Sequence, residues 1–221
     1  MYIHLKRCLD FVMALVGMIL LSPLFLILMI AIKLDSKGPI LFRQKRIGIH
    51  KTHFHILKFR TMRIDTPKDM PTHLLQNPEQ YITKVGKFLR KTSLDELPQI
   101  INILKGDMSI VGPRPERTEH VEKYTKEIPE FGYRLKVKGG LTGYAQIYGK
   151  YNTTAYDKLR LDLMYIENYS VLLDIKLILL TLRIIFKKES TDGFAAPAAQ
   201  PALQATEEND PTEDDLASVG K

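Results

Sequence analysis

The chain has 221 residues, 45% of them hydrophobic, and a single cysteine. This length is sufficient for one domain with a core, and one cysteine excludes an intramolecular disulfide bond. The net charge of +7 is unevenly distributed, because residues 190–221 carry −6 and residues 1–189 carry +13. Such a basic body indicates anionic partners: nucleic acid, anionic lipid or a phosphorylated substrate.

The first long apolar segment, residues 11–32, contains 22 residues without a charge. It is long enough to cross a bilayer as a helix, although Ser22-Pro23 at its midpoint predicts a kink. Cations flank it on both sides, Lys6 and Arg7 before it and Lys33 after it. A spanning helix would export one basic flank, whereas a re-entrant helix would keep both in the cytoplasm. The charges alone favour the re-entrant alternative only weakly.

Two short strands are predicted next, over residues 39–44 and 54–62. Alternation along the second strand places Lys58 and Arg60 on the same side. This pair is either a solvated basic face or part of an anion-binding wall. Residues 63–79 are polar and contain three prolines, a composition typical of a loop.

A short helix is predicted from Ile82, with Val85, Phe88 and Leu89 facing inward. Its end is basic, and Arg90 comes shortly before an acidic pair. Cations beside two carboxylates lower the pKa of both acids, so the pair is expected to be ionised.

The acidic pair is Asp95-Glu96, at the predicted start of a helix that begins at Thr92 or Ser93 and ends at Gly106. The simplest interpretation is a charged first helical turn, with acids near the unpaired N–H groups. The following Pro-Arg-Pro is locally stiff, which makes Arg114 a suitable ligand for phosphate. The alternative interpretation is therefore a phosphate-binding site.

The remaining segments alternate between helix and irregular structure. Residues 116–130 predict a charged helix, and residues 138–150 form a glycine-rich stretch that suits close approach to phosphate. Residues 171–186 are mostly apolar and predict either an amphipathic helix on a membrane or a packed core helix. From residue 190 onward the chain has too few large apolar side chains to fold, and we expect it to be disordered.

Several of these blocks together resemble the bacterial sugar transferase family, the monotopic phosphoglycosyl transferases. The resemblance rests on Ser-Leu-Asp-Glu-Leu-Pro-Gln from Ser93 and on Leu-Lys-Gly-Asp-Met-Ser-Ile-Val-Gly-Pro-Arg-Pro up to Pro115. Further matching blocks are Phe-Arg-Gln-Lys-Arg-x-Gly, Lys-Phe-Arg-Thr-Met, Leu-Thr-Gly-x-Ala-Gln and Arg-Leu-Asp. The chain departs from the family pattern at Ile47 and at Gly139, which stands where the family has proline.

The resemblance implies an α+β fold that is mainly helical. Residues 1–36 would form a re-entrant membrane helix hairpin, bent at Ser22-Pro23. Residues 37–189 would form a small cytosolic catalytic domain with a short β-hairpin and interfacial amphipathic helices, and residues 190–221 an acidic tail. The expected location is the cytoplasmic face of the bacterial inner membrane.

The resemblance also implies an activity, namely Mg²⁺-dependent transfer of a sugar 1-phosphate from a UDP-sugar to polyprenyl (undecaprenyl) phosphate, with release of UMP. This would be the first membrane step of exopolysaccharide, capsule or O-antigen assembly. Asp95 would be the nucleophile and form a covalent aspartyl-phosphosugar, and Glu96 would hold Mg²⁺. The substrate-binding residues it implies are Lys58, Arg60, Arg90, Arg114, Gln146, Lys150 and Asp162, the last as a supporting carboxylate.

The implied partners are the UDP-sugar, the polyprenyl phosphate and inner-membrane lipids. Whether the chain forms a homodimer stays open, as does the identity of the sugar. One alternative is a non-catalytic membrane-anchored adaptor that binds anionic lipids. A nucleic-acid binder is suggested by charge alone, and since no basic motif interleaved with aromatics supports it, no nucleic-acid partner is expected.

Overall fold

The computed structural model describes residues 2–67, 77–149 and 153–186, and it is mainly helical with two small sheets. The helices are α1 (Tyr2–Asp35), α2 (Lys84–Lys91), α3 (Gln99–Lys105), α4 (Thr118–Glu127), α5 (Tyr144–Tyr148), α6 (Ala155–Asn168) and α7 (Val171–Phe186). The strands are β1 (Leu41–Ile47), β2 (His53–Phe59), β3 (Ser109–Val111) and β4 (Gly140–Thr142). The mainly helical α+β fold with a short hairpin is therefore confirmed. The predicted tail, residues 190–221, lies outside the described residues.

Helix α1 is a 34-residue helix that carries the predicted apolar segment and contains Pro23. Proline has no N–H to donate to the carbonyl of Ile19, and the Ser22 hydroxyl donates to that carbonyl instead, at 2.7 Å. Only 17% of its most apolar window is buried, which is unlike the core helix of a soluble domain. By length and composition α1 is sufficient to cross a membrane. Whether it re-enters or spans stays a prediction.

Both ends of α1 are held by the rest of the domain. Near the amino end, Arg7 donates to the carbonyl oxygens of Ile103 and Leu104 at the end of α3, at 2.5 and 2.8 Å. Near the other end, Asp35 accepts a hydrogen bond from the Val85 amide at the start of α2. The two flanks of the apolar segment therefore contact one and the same body.

Strands β1 and β2 form the predicted antiparallel hairpin, in which Leu41 pairs with Phe59 and Ile47 with His53. On the outer edge of β2, the buried side chain of Asn102 accepts from the Leu57 amide and donates to the His55 carbonyl. An amide side chain can do this because it carries both a donor and an acceptor, as a backbone peptide does. Asn102 thereby joins α3 to the hairpin.

Strands β3 and β4 form a parallel pair that the sequence did not predict. The two backbones approach closely, since a Cβ atom at Gly140 would lie only 2.1 Å from the Gly112 nitrogen. Glycine is thus required at this point of the glycine-rich stretch, for contact between backbones.

Helix α7 has the bounds that the sequence predicted. Leu177 is fully buried against α6 and β3, whereas the opposite side of α7 exposes large apolar residues at helical spacing. These exposed residues are Leu172, Ile175, Leu179, Leu182 and Ile185. One face of α7 is thus packed, as the core-helix alternative predicts, and the other exposes apolar side chains, for which contact with a membrane stays a prediction.

Helix α2 corrects one expectation about the core. Leu89 is fully buried as predicted, but Phe88 is 54% exposed rather than inward-facing. Adjacent residues of a helix are about 100° apart, and on α2 the packed face is centred on Leu89, which leaves Phe88 toward solvent. Phe88 is thus an exposed aromatic side chain on α2.

Candidate active site

The acidic pair lies on a single 3-10 turn, Leu94–Glu96, placed between α2 and α3. Ser93, just before it, has a left-handed backbone (φ 57°), which is uncommon for a residue other than glycine. Pro98 cannot donate to the Leu94 carbonyl, and the Leu97 amide bonds that carbonyl instead, at 3.3 Å. The prediction of one helix from Thr92 or Ser93 to Gly106 is therefore wrong at its start, because α3 begins only at Gln99. Its end is confirmed, since Gly106 caps α3 with φ 92°.

Two cations from other parts of the chain hold Glu96. Lys58 on β2 donates to Glu96 Oε1 at 2.6 Å, and Arg114 Nη2 donates to the same oxygen at 2.5 Å. Asp95 is also near Lys58, with Oδ2 at 3.8 Å from Nζ. Within the described part of the chain, the Asp95 carboxylate makes no hydrogen bond. The two acids thus share a lysine but differ in how they are paired.

The different pairing gives the two carboxyl groups opposite pKa shifts. Burial raises the pKa of Glu96, but attraction and hydrogen bonds from Arg114 and Lys58 outweigh it and hold that pKa at about 2. For Asp95, burial is the largest effect and is not overcome by the nearby cations, so its pKa is raised. The nearby cations lower the Asp95 pKa as expected, but burial outweighs them, so the expected net lowering is wrong for Asp95. A poorly solvated carboxylate that lacks a close partner is suited to act as a nucleophile.

Arg90, on α2, lies close enough to the pair to interact electrostatically with Asp95. Its Nε donates to the Thr61 hydroxyl at 2.9 Å, which fixes the guanidinium. Burial lowers the pKa of Arg90, and the negative charge of Asp95 opposes that shift. The structure thus brings Lys58, Arg90 and Arg114 together around Asp95-Glu96, while their role in substrate binding stays a prediction.

Arg114 is presented by a backbone segment whose carbonyl groups are held from behind. Buried Arg134 donates through Nη2 to the Arg114 carbonyl at 3.0 Å, and through Nε to Asp162 at 2.5 Å. Arg46 on β1 donates to the next carbonyl, that of Pro115, at 3.1 Å. Asp162 is therefore a supporting carboxylate behind Arg114, without direct access to the acid pair.

Sequence reasoning missed the roles of Arg46 and Arg134. Arg46 lies within the block Phe-Arg-Gln-Lys-Arg-x-Gly that resembles the family, and in the sequence this block was the one indication that Arg46 has a role. Arg134 lies in a 3-10 helix, Pro129–Lys136, and no sequence pattern indicated its burial.

Other predicted substrate-binding residues lie elsewhere. Arg60 is buried and donates to the carbonyl groups of Ser36 and Lys37, after the end of α1. Gln146, on α5, lies 3.5 Å from the Gly112 carbonyl, beside the segment that carries Arg114. Lys150 lies outside the described residues.

The acid pair is compatible with a magnesium ion whose coordination the substrate completes. Among the described residues no group of three or more His, Cys, Asp or Glu side chains could hold a metal. Mg²⁺, however, is usually bound by one or two carboxylates together with substrate phosphates and water. Asp95 and Glu96 supply two such carboxylates, and Glu96 Oε2 makes only a long contact of 3.4 Å with Arg114.

Comparison with known proteins gives one family. Residues 1–188 match the model of the family described as "Bacterial sugar transferase". The chain is 45% identical over 200 residues to the UDP-glucose:undecaprenyl-phosphate glucose-1-phosphate transferase of Escherichia coli K12, covering 88% of this chain and 41% of that protein. It is 40% identical over 198 residues to the UDP-N-acetylgalactosamine-undecaprenyl-phosphate N-acetylgalactosaminephosphotransferase of Aeromonas hydrophila, covering 88% and 45%.

A third relative is the galactosyl transferase CpsE of Streptococcus agalactiae, 42% identical over 199 residues, covering 83% of this chain and 43% of that protein. The chain thus spans less than half the length of each of these three relatives. Their names give three different sugars, so similarity by itself does not select one.

Proposed function

Because this chain belongs to the bacterial sugar transferase family, we propose that it transfers a sugar 1-phosphate from a UDP-sugar to a polyprenyl phosphate. The relatives' names state undecaprenyl phosphate as the acceptor, and we propose the same acceptor here. The reaction releases UMP and begins the assembly of a lipid-linked glycan. The observation that carries this proposal is the partly buried Asp95, which accepts no hydrogen bond among the described residues, beside Glu96 and the cations Lys58, Arg90 and Arg114.

In the first half-reaction, an Asp95 carboxylate oxygen attacks the phosphorus that carries the sugar. A bond forms between that oxygen and phosphorus, and the bond from phosphorus to the oxygen bridging the two phosphates breaks. The bridging oxygen leaves with its electron pair as part of UMP. In the second half-reaction, a phosphate oxygen of the lipid attacks the same phosphorus and displaces Asp95, so the carboxylate is regenerated and polyprenyl diphosphate-sugar is formed.

The assignment of Asp95 rather than Glu96 as nucleophile rests on their surroundings. Glu96 Oε1 accepts two short charged hydrogen bonds, which stabilise the carboxylate and reduce its nucleophilicity. Asp95 has no such bond among the described residues, and burial disfavours its charged form. Bond formation to phosphorus neutralises the Asp95 carboxylate while the negative charge leaves on the bridging oxygen of UMP, and an unfavourable buried charge is thereby removed.

The cations solve the electrostatic problem of this chemistry. A diphosphate repels an anionic nucleophile, so its negative charge must be neutralised before Asp95 can approach. Lys58, Arg90 and Arg114 lie where they can bind the phosphate oxygens. Glu96 would hold Mg²⁺, which would supply further neutralisation of the diphosphate charge.

The apolar surface supports a position at the membrane, where the lipid acceptor is found. Helix α1 exposes most of its large apolar side chains, and α7 exposes a second apolar face. Both flanks of the apolar segment contact the same body, which supports a helix that bends at Ser22-Pro23 and returns to the side it came from. By the flanking positive charges we propose that this side is the cytoplasm.

The test is a UMP-release assay with a panel of UDP-sugars, Mg²⁺ and undecaprenyl phosphate. The wild-type protein is expected to release UMP with at least one donor and to form a sugar-phosphate adduct detectable by intact mass. Asp95→Asn is expected to abolish both, whereas Asp157→Asn, a change at an exposed position on α6, leaves both unchanged. No UMP release from any donor contradicts the proposed function, and an adduct on Asp95→Asn contradicts the choice of nucleophile.

A further inference from the structure

We propose that Arg46 and Arg134 are positioning residues that act through Arg114. They hold the backbone of residues 113–116 so that the Arg114 guanidinium stays directed at Glu96 and the diphosphate. This inference rests on the proposed function, because the diphosphate is the group that Arg114 would bind.

The first argument is how this segment is held. Two of its four residues are prolines, which have no N–H, so the segment is anchored mainly through its carbonyl groups. All four successive carbonyls accept a hydrogen bond. The donors, in order from Pro113 to Glu116, are the Gly140 amide, Arg134, Arg46 and the Ile47 amide, at 2.9, 3.0, 3.1 and 3.3 Å.

The second argument is that Arg134 is itself fixed. It is 4% exposed, it lies over the Phe131 ring at 4.7 Å, and its partner Asp162 is fully buried. The Arg134 guanidinium donates to Asp162 through Nε and to the Arg114 carbonyl through Nη2. One rigid planar group thus makes two hydrogen bonds in different directions. A lysine has a single nitrogen at its end and would not reproduce both bonds in this geometry. The series of hydrogen bonds from Asp162 through Arg134 therefore ends at Arg114, the residue that contacts Glu96.

The third argument concerns Arg46. Its two terminal nitrogens bond the Pro115 carbonyl and the Gln44 side chain. Burial, then repulsion from Arg114 and Arg117, lowers the pKa of Arg46 to about 10. An arginine thus keeps its charge here at neutral pH. A side chain with a lower intrinsic pKa would keep its proton less readily at this position.

A double-mutant cycle on UMP release tests the proposal. Arg134→Lys alone is expected to lower kcat/KM for the UDP-sugar about tenfold or more, chiefly through KM, because small displacements of a binding group are costly. In an Arg114→Lys background, Arg134→Lys is expected to lower kcat/KM by less than about twofold. The decrease in Tm caused by Arg134→Lys is expected to be the same in both backgrounds. Arg46→Lys is expected to follow the same pattern. Arg160→Lys, an exposed position on the helix that carries Asp162, is the control with no effect.

Equal losses of kcat/KM in both backgrounds would overturn the proposal, since Arg134 would then act through general stability. The cycle can also be run on the Kd for UDP, measured by calorimetry, which does not require turnover. If UMP release is absent but the Kd values are non-additive, the proposed reaction fails and the positioning role stands. Additive Kd values contradict the positioning role whatever the activity, and a wild-type protein that neither releases UMP nor binds UDP contradicts both.

Discussion

Exchanging each acid for its amide is expected to have opposite effects on stability. At pH 7, Glu96→Gln should lower the free energy of unfolding by about 3 kcal/mol, because the Glu96 pKa lies at about 2 instead of 4.5 and each pKa unit corresponds to about 1.4 kcal/mol. Asp95→Asn should leave the free energy of unfolding unchanged or raise it. Burial raises the pKa of Asp95, so its ionised form weakens the fold.

The pH dependence follows from these directions. The contribution of Glu96 is fully present above about pH 4.5 and is lost as pH falls through about 2, so the deficit of Glu96→Gln should shrink over that window. Asp95 behaves in the opposite sense, since stability is lost as pH rises through its raised pKa. The benefit of Asp95→Asn should therefore be larger at pH 7 than at acidic pH.

The measurement is thermal unfolding of detergent-solubilised protein at pH 7 and at pH 3. For a domain of this size about 3 kcal/mol corresponds to a decrease in Tm of about 6–12 °C. Glu122→Gln, on the exposed side of α4, is the matched control and should not change Tm. An equal loss of Tm in Asp95→Asn and Glu96→Gln would refute this reasoning. So would a decrease in the Tm of Glu96→Gln that is the same at pH 7 and pH 3.

Three further predictions concern the site, the anchor and the tail. The charge of Lys58 lowers the Asp95 pKa against the effect of burial. Lys58→Met should therefore move the acidic limb of the pH profile of kcat/KM to higher pH. An acidic limb that stays in place or moves to lower pH contradicts this. Replacing Ser22-Pro23 by Ala-Leu should straighten about 33 Å of uncharged helix, which is long enough to span a bilayer. A reporter fused to the amino terminus should then be exported. Export of the amino terminus of the wild-type protein would exclude re-entry. Truncation after Glu189 should leave UMP release within about a factor of three, and a truncated protein that is folded but inactive would show that the tail reaches the site.

Elements with a strong periodic pattern could be predicted from the sequence. Helix α7 has the predicted bounds, and α1 contains the whole apolar segment. The acidic turn was located correctly but assigned the wrong helical geometry, because Pro98 interrupts a pattern whose apolar spacing is otherwise helical. The spacing of apolar residues indicates which side chains would share a helical face. It takes no account of the backbone hydrogen bond that is lost where Pro98 has no N–H.

The electrostatics of the site could be predicted only in part. The cations expected near Asp95-Glu96 are present, but the sign of the Asp95 pKa shift depends on burial, which three-dimensional packing sets. Arg134 is 28 residues away from Asp162 and 20 from Arg114 in the chain, and no local pattern links residues at such separations. Family blocks indicated Arg114 and Asp162 but not the buried arginine that connects them.

The side chain of Asn102 has a consequence for how copies of the chain can associate. A free strand edge is a template on which another polypeptide can extend a sheet. On β2 this edge is occupied at Leu57 and His55 by an amide group from the chain's own helix, which is fixed in turn by a bond to Asp107. A second molecule could add a strand there only by displacing a buried side chain. Strand addition at the outer edge of β2 is thereby blocked, and a homodimer would have to form through another surface.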